Sequence, residues 1–190
     1  LHQIVIVGGG AGGLELATRL GKKFGRRKKA AITMIDAVKT HLWKPLLHEV
    51  AAGSLNSYGD ELGYLAHGYI NHFFFRLGRV IEVDRENQQV ITAPQLDDDG
   101  VEFIASRRFH YDTLVLSVGS ITNDFGIPGV KDHCYFLDNR EQADKFHQDF
   151  LKYTFIANTQ ETPLRENQLH IAIAGAGATG VELESELHDS

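Results

Sequence analysis

The sequence predicts an α/β protein: a parallel sheet with a helix behind a glycine-rich turn, an insertion of antiparallel strands, and then the start of a second unit like the first. Three observations predict it. Residues 3–7 (QIVIV) form a short β-branched run that stops at Gly8-Gly9-Gly10-Ala11-Gly12-Gly13, and such a run suits a strand buried on both faces of a parallel sheet. Residues 169–174 (LHIAIA) and Gly175-Ala176-Gly177-Ala178-Thr179-Gly180 repeat the same arrangement. Between the two lie short apolar runs separated by polar turns, the pattern of inserted strands. Strand, glycine turn and helix in that order make the fold class Rossmann-like.

Each element follows from local pattern. After Gly13 a helical stripe places Leu14, Ala17, Leu20 and Phe24 on one face. A basic patch follows, Lys22-Lys23 and Arg26-Arg27-Lys28-Lys29, and then a second strand, Ala31–Ile35, that ends in Asp36. The resulting βαβ unit has a right-handed crossover. In residues 41–53 (HLWKPLLHEVAAG), Pro45 suits the first turn of a helix running to Ala52. A short helix is expected over Asp60–Tyr69, and strands over 73–84 and 88–93 around the polar turn Arg85-Glu86-Asn87. Asp97-Asp98-Asp99-Gly100 reads as a turn, 101–110 as a strand, and 111–118 (YDTLVLSV) as a buried strand broken at Gly119. Pro128-Gly129 marks a loop. Asp138–Ala157 has helical spacing in Ala143, Phe146, Phe150 and Tyr153, residues 159–167 form a polar linker, and a last helix starts at Val181. The expected division is a first domain over 1–123 and the start of a second over 124–190. The pattern stops at Ser190 inside that helix, before the second strand such a unit needs for its acid, so the chain is expected to be part of a longer protein.

Composition narrows the class. Hydrophobic residues make up 43% and charged residues 23% of the 190, ordinary for a soluble globular protein. The net charge of -6 gives no reason to expect a nucleic-acid partner. The one cysteine, Cys134, excludes an intrachain disulfide and a CxxC redox pair, fits a reducing compartment, and is expected to be partly buried and unreactive. No run approaches the roughly 20 apolar residues of a spanning helix. Ile4–Val7 is too short for a signal-peptide core.

The first glycine turn carries the chemistry of a dinucleotide site. Gly8 permits the tight turn, Gly10 lets backbone approach a pyrophosphate, and Gly13 lets helix and strand pack closely. The helix N-terminus offers N–H groups and about half a positive charge to phosphates. Asp36, 28 residues after Gly8, is placed to accept hydrogen bonds from a ribose 2′-hydroxyl. The second turn, Gly175, Gly177 and Gly180, implies a second nucleotide, and hydride passage from a nicotinamide to a flavin is the simplest use of two. Gly119 ends a strand near the first turn and either accepts a cofactor against bare backbone or simply turns the chain. Lys44, beside Pro45, is either a cation that stabilises negative charge on a reduced flavin or a surface lysine. His41 and His48 have no partner at metal-ligand spacing. From the residues alone Glu182 is a solvated glutamate in the first turn of a helix.

With these segments in view, the chain resembles the bacterial type II NADH:quinone oxidoreductases. The likeness rests on GGGAGGLELA at 8–17, HLWKPLLHEVAAGSL at 41–55, YDTLVLSVGS at 111–120, FGIPGV at 125–130 and GAGATGVELESEL at 175–187. The segment at 41–55 is the most specific of these; the others are shared across two-dinucleotide flavoproteins. The resemblance implies non-covalent FAD at Gly8, Gly10, Ala11, Gly12, Gly13, Asp36 and Ala37, with Lys44 and Pro45 near the isoalloxazine, Val80 meeting the adenine through its backbone, and Gly119 at the phosphate or ribose. It implies NADH at Gly175, Gly177, Ala178, Thr179 and Gly180. It moves Glu182 from a solvated residue to the nicotinamide–flavin contact, with Glu182 and Lys44 as the residues closest to the chemistry. The implied reaction passes hydride from NADH to flavin and two electrons to a membrane quinone without proton pumping. The implied setting is a peripheral, commonly dimeric enzyme on the cytoplasmic face of the bacterial inner membrane, attached through C-terminal helices beyond Ser190.

Competing classes are separable. Disulfide reductases and sulfide:quinone reductases need reactive cysteine pairs, which this sequence lacks. A ferredoxin or rubredoxin reductase would share flavin and nicotinamide but use a protein acceptor. A nucleotide-binding module without turnover would keep both turns. A membrane-surface scaffold would use residues 22–29, attracted to anionic lipid and released by salt.

Overall fold

The structure is a computed structural model that describes residues 1–56, 59, 61–97 and 99–189. The chain opens with β1 (His2–Val7), α1 (Ala11–Leu20, prolonged by one wider turn over Gly21–Gly25) and β2 (Ala30–Asp36). A short β3 (Thr40–His41) precedes a tight turn at Lys44–Leu46 and α2 (Leu47–Ala52), which ends at Gly53 with φ +90°. Then come β4 (Leu62–Gly63), α3 (Tyr64–Asn71), β5 (Phe74–Leu77), β6 (Val80–Asp84), β7 (Gln89–Thr92), β8 (Gln95–Leu96), β9 (Glu102–Ile104), β10 (Arg107–His110) and β11 (Thr113–Leu116). The final elements are α4 (Val130–His133), α5 (Arg140–Thr159) and α6 (Ala178–Asp189). The chain divides into two compact units, Leu1–His41 with Leu62–Ser120, and Leu42–Glu61 with Ile121–Ser190.

In the first unit four parallel strands run in the order β11-β1-β2-β5, with α1 crossing between β1 and β2. β1 is buried on both faces, as its β-branched run predicts. Ile6, Ile32 and Met34 pack on one face with Leu14, Ala17 and Tyr64, while Val5, Val7 and Ile35 pack on the other with Val90 and Tyr111. Fully burying one such side chain contributes about 1.5–3 kcal/mol. The antiparallel insertion β10-β7-β6 supplies the second of these layers.

Several expectations need correction. The strand expected over 73–84 is two strands in different sheets. The chain turns at Gly78, whose N–H bonds the Asp36 carbonyl at 2.7 Å and where a Cβ would meet Thr92 at 2.9 Å. The strand expected over 101–110 is also two, β9 and β10, in separate ladders. The strand within 111–118 forms but is an edge of the four-stranded sheet among the described residues, with Leu116 exposed. The helix expected from Asp60 begins at Tyr64, after β4 pairs with β3; Asp60 itself and Asp98 of the expected 97–100 turn lie outside the described residues.

In the second unit, α2 packs between α5 and α6 through Leu47, Val50, Ala51, Ala143, Phe146 and Leu183. Leu42, Leu47, Val50, Ala51 and Leu55 therefore pack with side chains of α5 and α6, although the sequence groups them with the first domain. Helix α5 begins two residues later than expected, capped by the Asn139 side chain accepting from the Gln142 N–H at 2.9 Å. The strand expected over 169–174 does not form: among the described residues it has no ladder, and Leu169, Ile171 and Ile173 are exposed. A parallel strand gains its hydrogen bonds only from a neighbour. Cys134, expected to be partly buried, is exposed.

Candidate functional site

The first glycine turn is built by steric fit. Gly8 has φ +99°, and a Cβ there would lie 2.3 Å from the Ser117 carbonyl. At Gly13 a Cβ would lie 1.8 Å from the Gly8 carbonyl oxygen, so helix and strand meet at bare backbone. Gly10 and Gly12 have nothing within 4 Å of that position, which leaves one side of the turn open. Gly10 caps α1, whose first N–H groups have no partner inside the helix and point out of this end. Ala11 opens the helix and is exposed.

Asp36 sits where its spacing places it, and it already holds the turn. One carboxylate oxygen accepts the Gly9 N–H at 2.5 Å, and the other accepts the Val38 N–H at 2.9 Å. Each oxygen has a second lone pair for a ligand hydroxyl. Ala37 beside it is exposed. Two residues not anticipated from the sequence complete the turn. The Ser117 hydroxyl donates to the Gly8 carbonyl at 2.9 Å. The buried Tyr64 donates its hydroxyl to the Gly9 carbonyl at 2.7 Å, and burial, reinforced by the Asp36 charge, pushes its ionisation upward, so it stays a donor. His41, 3.5 Å from that hydroxyl, is held below its ordinary pKa by burial, against the pull of Asp36. Gly119 has φ +74° with open space around it, and Val80 starts β6 with its backbone paired to Thr92.

The second turn repeats this geometry although its strand is missing. Gly175 has φ +113°, the position after Gly177 begins α6, and a Cβ on Gly180 would lie 2.4 Å from the Gly175 carbonyl oxygen. Gly177, like Gly10, has nothing within 4 Å. Ala178 and Thr179 form the exposed first turn of that helix, which starts three residues earlier than expected.

Lys44 and Glu182 of the second unit each lie beside a side chain distant in sequence. Lys44 is neither buried nor adrift: its ammonium donates to Asp138 at 3.0 Å. Burial opposes ionisation of Asp138, but the Thr122 N–H and hydroxyl, with the Lys44 ammonium, outweigh it and hold the carboxyl below the usual range. Pro45 lies exposed in the tight turn before α2. Glu182 is half exposed in the first turns of α6, with the buried His48 ring nitrogen Nδ1 3.3 Å from its carboxylate. Asp138 and His48 were not anticipated as partners, because they lie 94 and 134 residues from Lys44 and Glu182 in sequence.

The chain is similar to several known proteins. The sequence model of the pyridine nucleotide-disulphide oxidoreductases matches residues 2–190. A type II NADH:quinone oxidoreductase of Haemophilus influenzae is 46% identical over 201 residues, covering 99% of this chain and 45% of that protein. One of Staphylococcus aureus is 32% identical over 195 residues, covering 98% and 43%. The solved structure of NDH2 from Plasmodium falciparum in complex with RYL-552 superposes with a TM-score of 0.81 at 25% identity, covering 99% of this chain and 37% of that one. The chain thus spans less than half the length of the curated relatives it matches. The match over residues 2–190, a span that includes both glycine turns, shows that the chain belongs to the pyridine nucleotide-disulphide oxidoreductase family.

Proposed function

We propose that the chain supplies the FAD-binding part, and the start of the NADH-binding part, of an NADH:quinone oxidoreductase. One observation carries this: the glycine pairs 8/13 and 175/180 have the same geometry, a positive-φ first glycine whose carbonyl fills the place of a Cβ on the last. Two such turns serve two dinucleotides.

The first turn fits FAD. Gly10, Ala11, Gly12 and Gly13 offer N–H groups at the start of the helix to the pyrophosphate, Gly8, whose own N–H is bonded to the Ile35 carbonyl, makes the turn that brings them there, and Asp36 with Ala37 meets the ribose. Gly119 gives bare backbone near the same ligand, and the Val80 backbone serves the adenine. On the second unit, Gly175, Gly177, Ala178, Thr179 and Gly180 serve the NADH pyrophosphate. Glu182 and Lys44 with Pro45 are the groups of that unit assigned to the nicotinamide–flavin chemistry. When bound, FAD accepts two electrons from NADH and passes them to a quinone. Asp138 holds the Lys44 cation in place, and the Glu182 carboxylate lies 3.3 Å from the buried His48 ring nitrogen Nδ1. The functional division falls near residue 123.

The relatives named type II NADH:quinone oxidoreductases favour quinone as acceptor. A cysteine-based acceptor is disfavoured, because Cys134 is the sole cysteine of these 190 residues. No described helix is long and apolar enough to cross a membrane. Attachment to the cytoplasmic face of the bacterial inner membrane, through sequence beyond these residues, and a homodimer belong to the same proposal. The test is steady-state NADH oxidation by the full-length protein with a soluble quinone, a ferredoxin or a rubredoxin. Turnover with quinone alone supports the proposal, and turnover only with a protein acceptor overturns it.

A further inference from the structure

We propose that Tyr64 is a positioning residue of the first dinucleotide turn: its hydroxyl fixes the direction of the Gly9–Gly10 peptide, and so aims the Gly10 N–H at the ligand. The inference rests on the FAD assignment of that turn. Gly9 and Gly10 are consecutive glycines, so the peptide between them is the part of the turn freest to rotate. A trans peptide points its C=O and N–H in opposite directions, and no peptide bond among the described residues is cis. Tyr64 donates to the Gly9 carbonyl at 2.7 Å, which turns the Gly10 N–H away from Tyr64. Rotation of this peptide would exchange the two groups and present a carbonyl oxygen to an anion.

Two further contacts fix the same place. Asp36 accepts the preceding N–H, that of Gly9, at 2.5 Å. The Tyr64 ring fills the space beside Gly9, where a Cβ would lie 2.7 Å from both Cζ and Oη. Tyr64 is 2% exposed and packs against the Phe75 ring at 5.1 Å, so the hydroxyl has little freedom to leave. The acid and the tyrosine therefore hold successive peptides from opposite ends.

The experiment uses full-length protein freed of FAD and titrated with FAD and, separately, with NADH. Tyr64→Phe keeps the ring and removes only the donor. It is expected to weaken FAD about tenfold, mainly through faster dissociation, with NADH affinity and the visible spectrum of bound flavin unchanged. A merely structural tyrosine would spare FAD, or would move NADH affinity and spectrum as well, and either result overturns the proposal. Gly9→Ala supplies a second test with Tyr64 still present: its methyl displaces the ring, and FAD must weaken at least as much. Unchanged FAD affinity in that variant also overturns the proposal. Failure of the wild-type protein to take up FAD would instead overturn the assignment on which it rests.

Discussion

The same substitution placed three residues apart in the first turn should separate binding from folding. Gly13→Ala gains about 1 kcal/mol of helix propensity. Against that, its Cβ would sit 1.8 Å from the Gly8 carbonyl oxygen and 2.5 Å from the Ser117 hydroxyl, so helix and strand must part by roughly 1 Å. Overpacking of this kind costs about 1–3 kcal/mol, and the Ser117 bonds to Val7 and Gly8 weaken with it. The net loss is about 2 kcal/mol, or about 4–8 °C in melting temperature at this chain length. Gly10→Ala meets nothing within 4 Å, and its φ of -61° suits alanine. Losing glycine at a helix cap costs about 0.5–1 kcal/mol, and the melt shifts by only about 2 °C. Its methyl, however, occupies the open side where phosphates approach. Lengthening two charge-assisted backbone bonds costs about 3 kcal/mol, so FAD binds about a hundredfold more weakly. Thermal melts of the FAD-free protein and FAD titrations read both effects. Equal destabilisation by the two variants, or wild-type FAD affinity in Gly10→Ala, would refute the steric argument.

Three more outcomes follow from named contacts. Asp36→Asn removes the charge that strengthens the bonds from Gly9 and Val38 and should weaken FAD about tenfold in the same titration; unchanged affinity removes Asp36 from the site. Arg140→Ala strips the partner from Glu61, whose side chain is 14% exposed. After discounting for partial exposure it should cost about 2–3 kcal/mol, read as a lower urea midpoint at unchanged slope, and no shift would refute the pairing. Asp138, held below its ordinary value of 3.8, stabilises fully above that value and loses its contribution as pH falls through its lowered one. Asp138→Asn should therefore melt below wild type at neutral pH, with the gap closing in acid; a gap that is constant with pH would contradict this.

The parts of the fold visible in the sequence are those fixed by short-range pattern. The β-branched run 3–7, the glycine spacings and the acid that ends β2 each impose a local geometry, and all appear where expected. The long strand 73–84 looked continuous because its apolar content does not reveal that Thr92 crowds Gly78, which moves the chain from one sheet to another. The run 169–174 has the composition of a strand, but composition supplies no neighbour for its hydrogen bonds. At the site, the glycines and Asp36 were legible because each answers a backbone requirement. Tyr64, Ser117, Asp138 and His48 were not, since their roles arise from contacts spanning 55 to 134 residues. The tyrosine left one faint signal, an aromatic directly after Gly63 in a segment otherwise read as a plain helix.

The most direct measurement is an anaerobic titration of the purified full-length protein with NADH, followed by a soluble quinone, while its visible absorbance is recorded. Two dinucleotide turns serving one electron path predict a yellow protein that bleaches with one equivalent of NADH per flavin and regains its colour with quinone. A colourless protein that refuses FAD, or a flavin that NADH leaves oxidised, would contradict it.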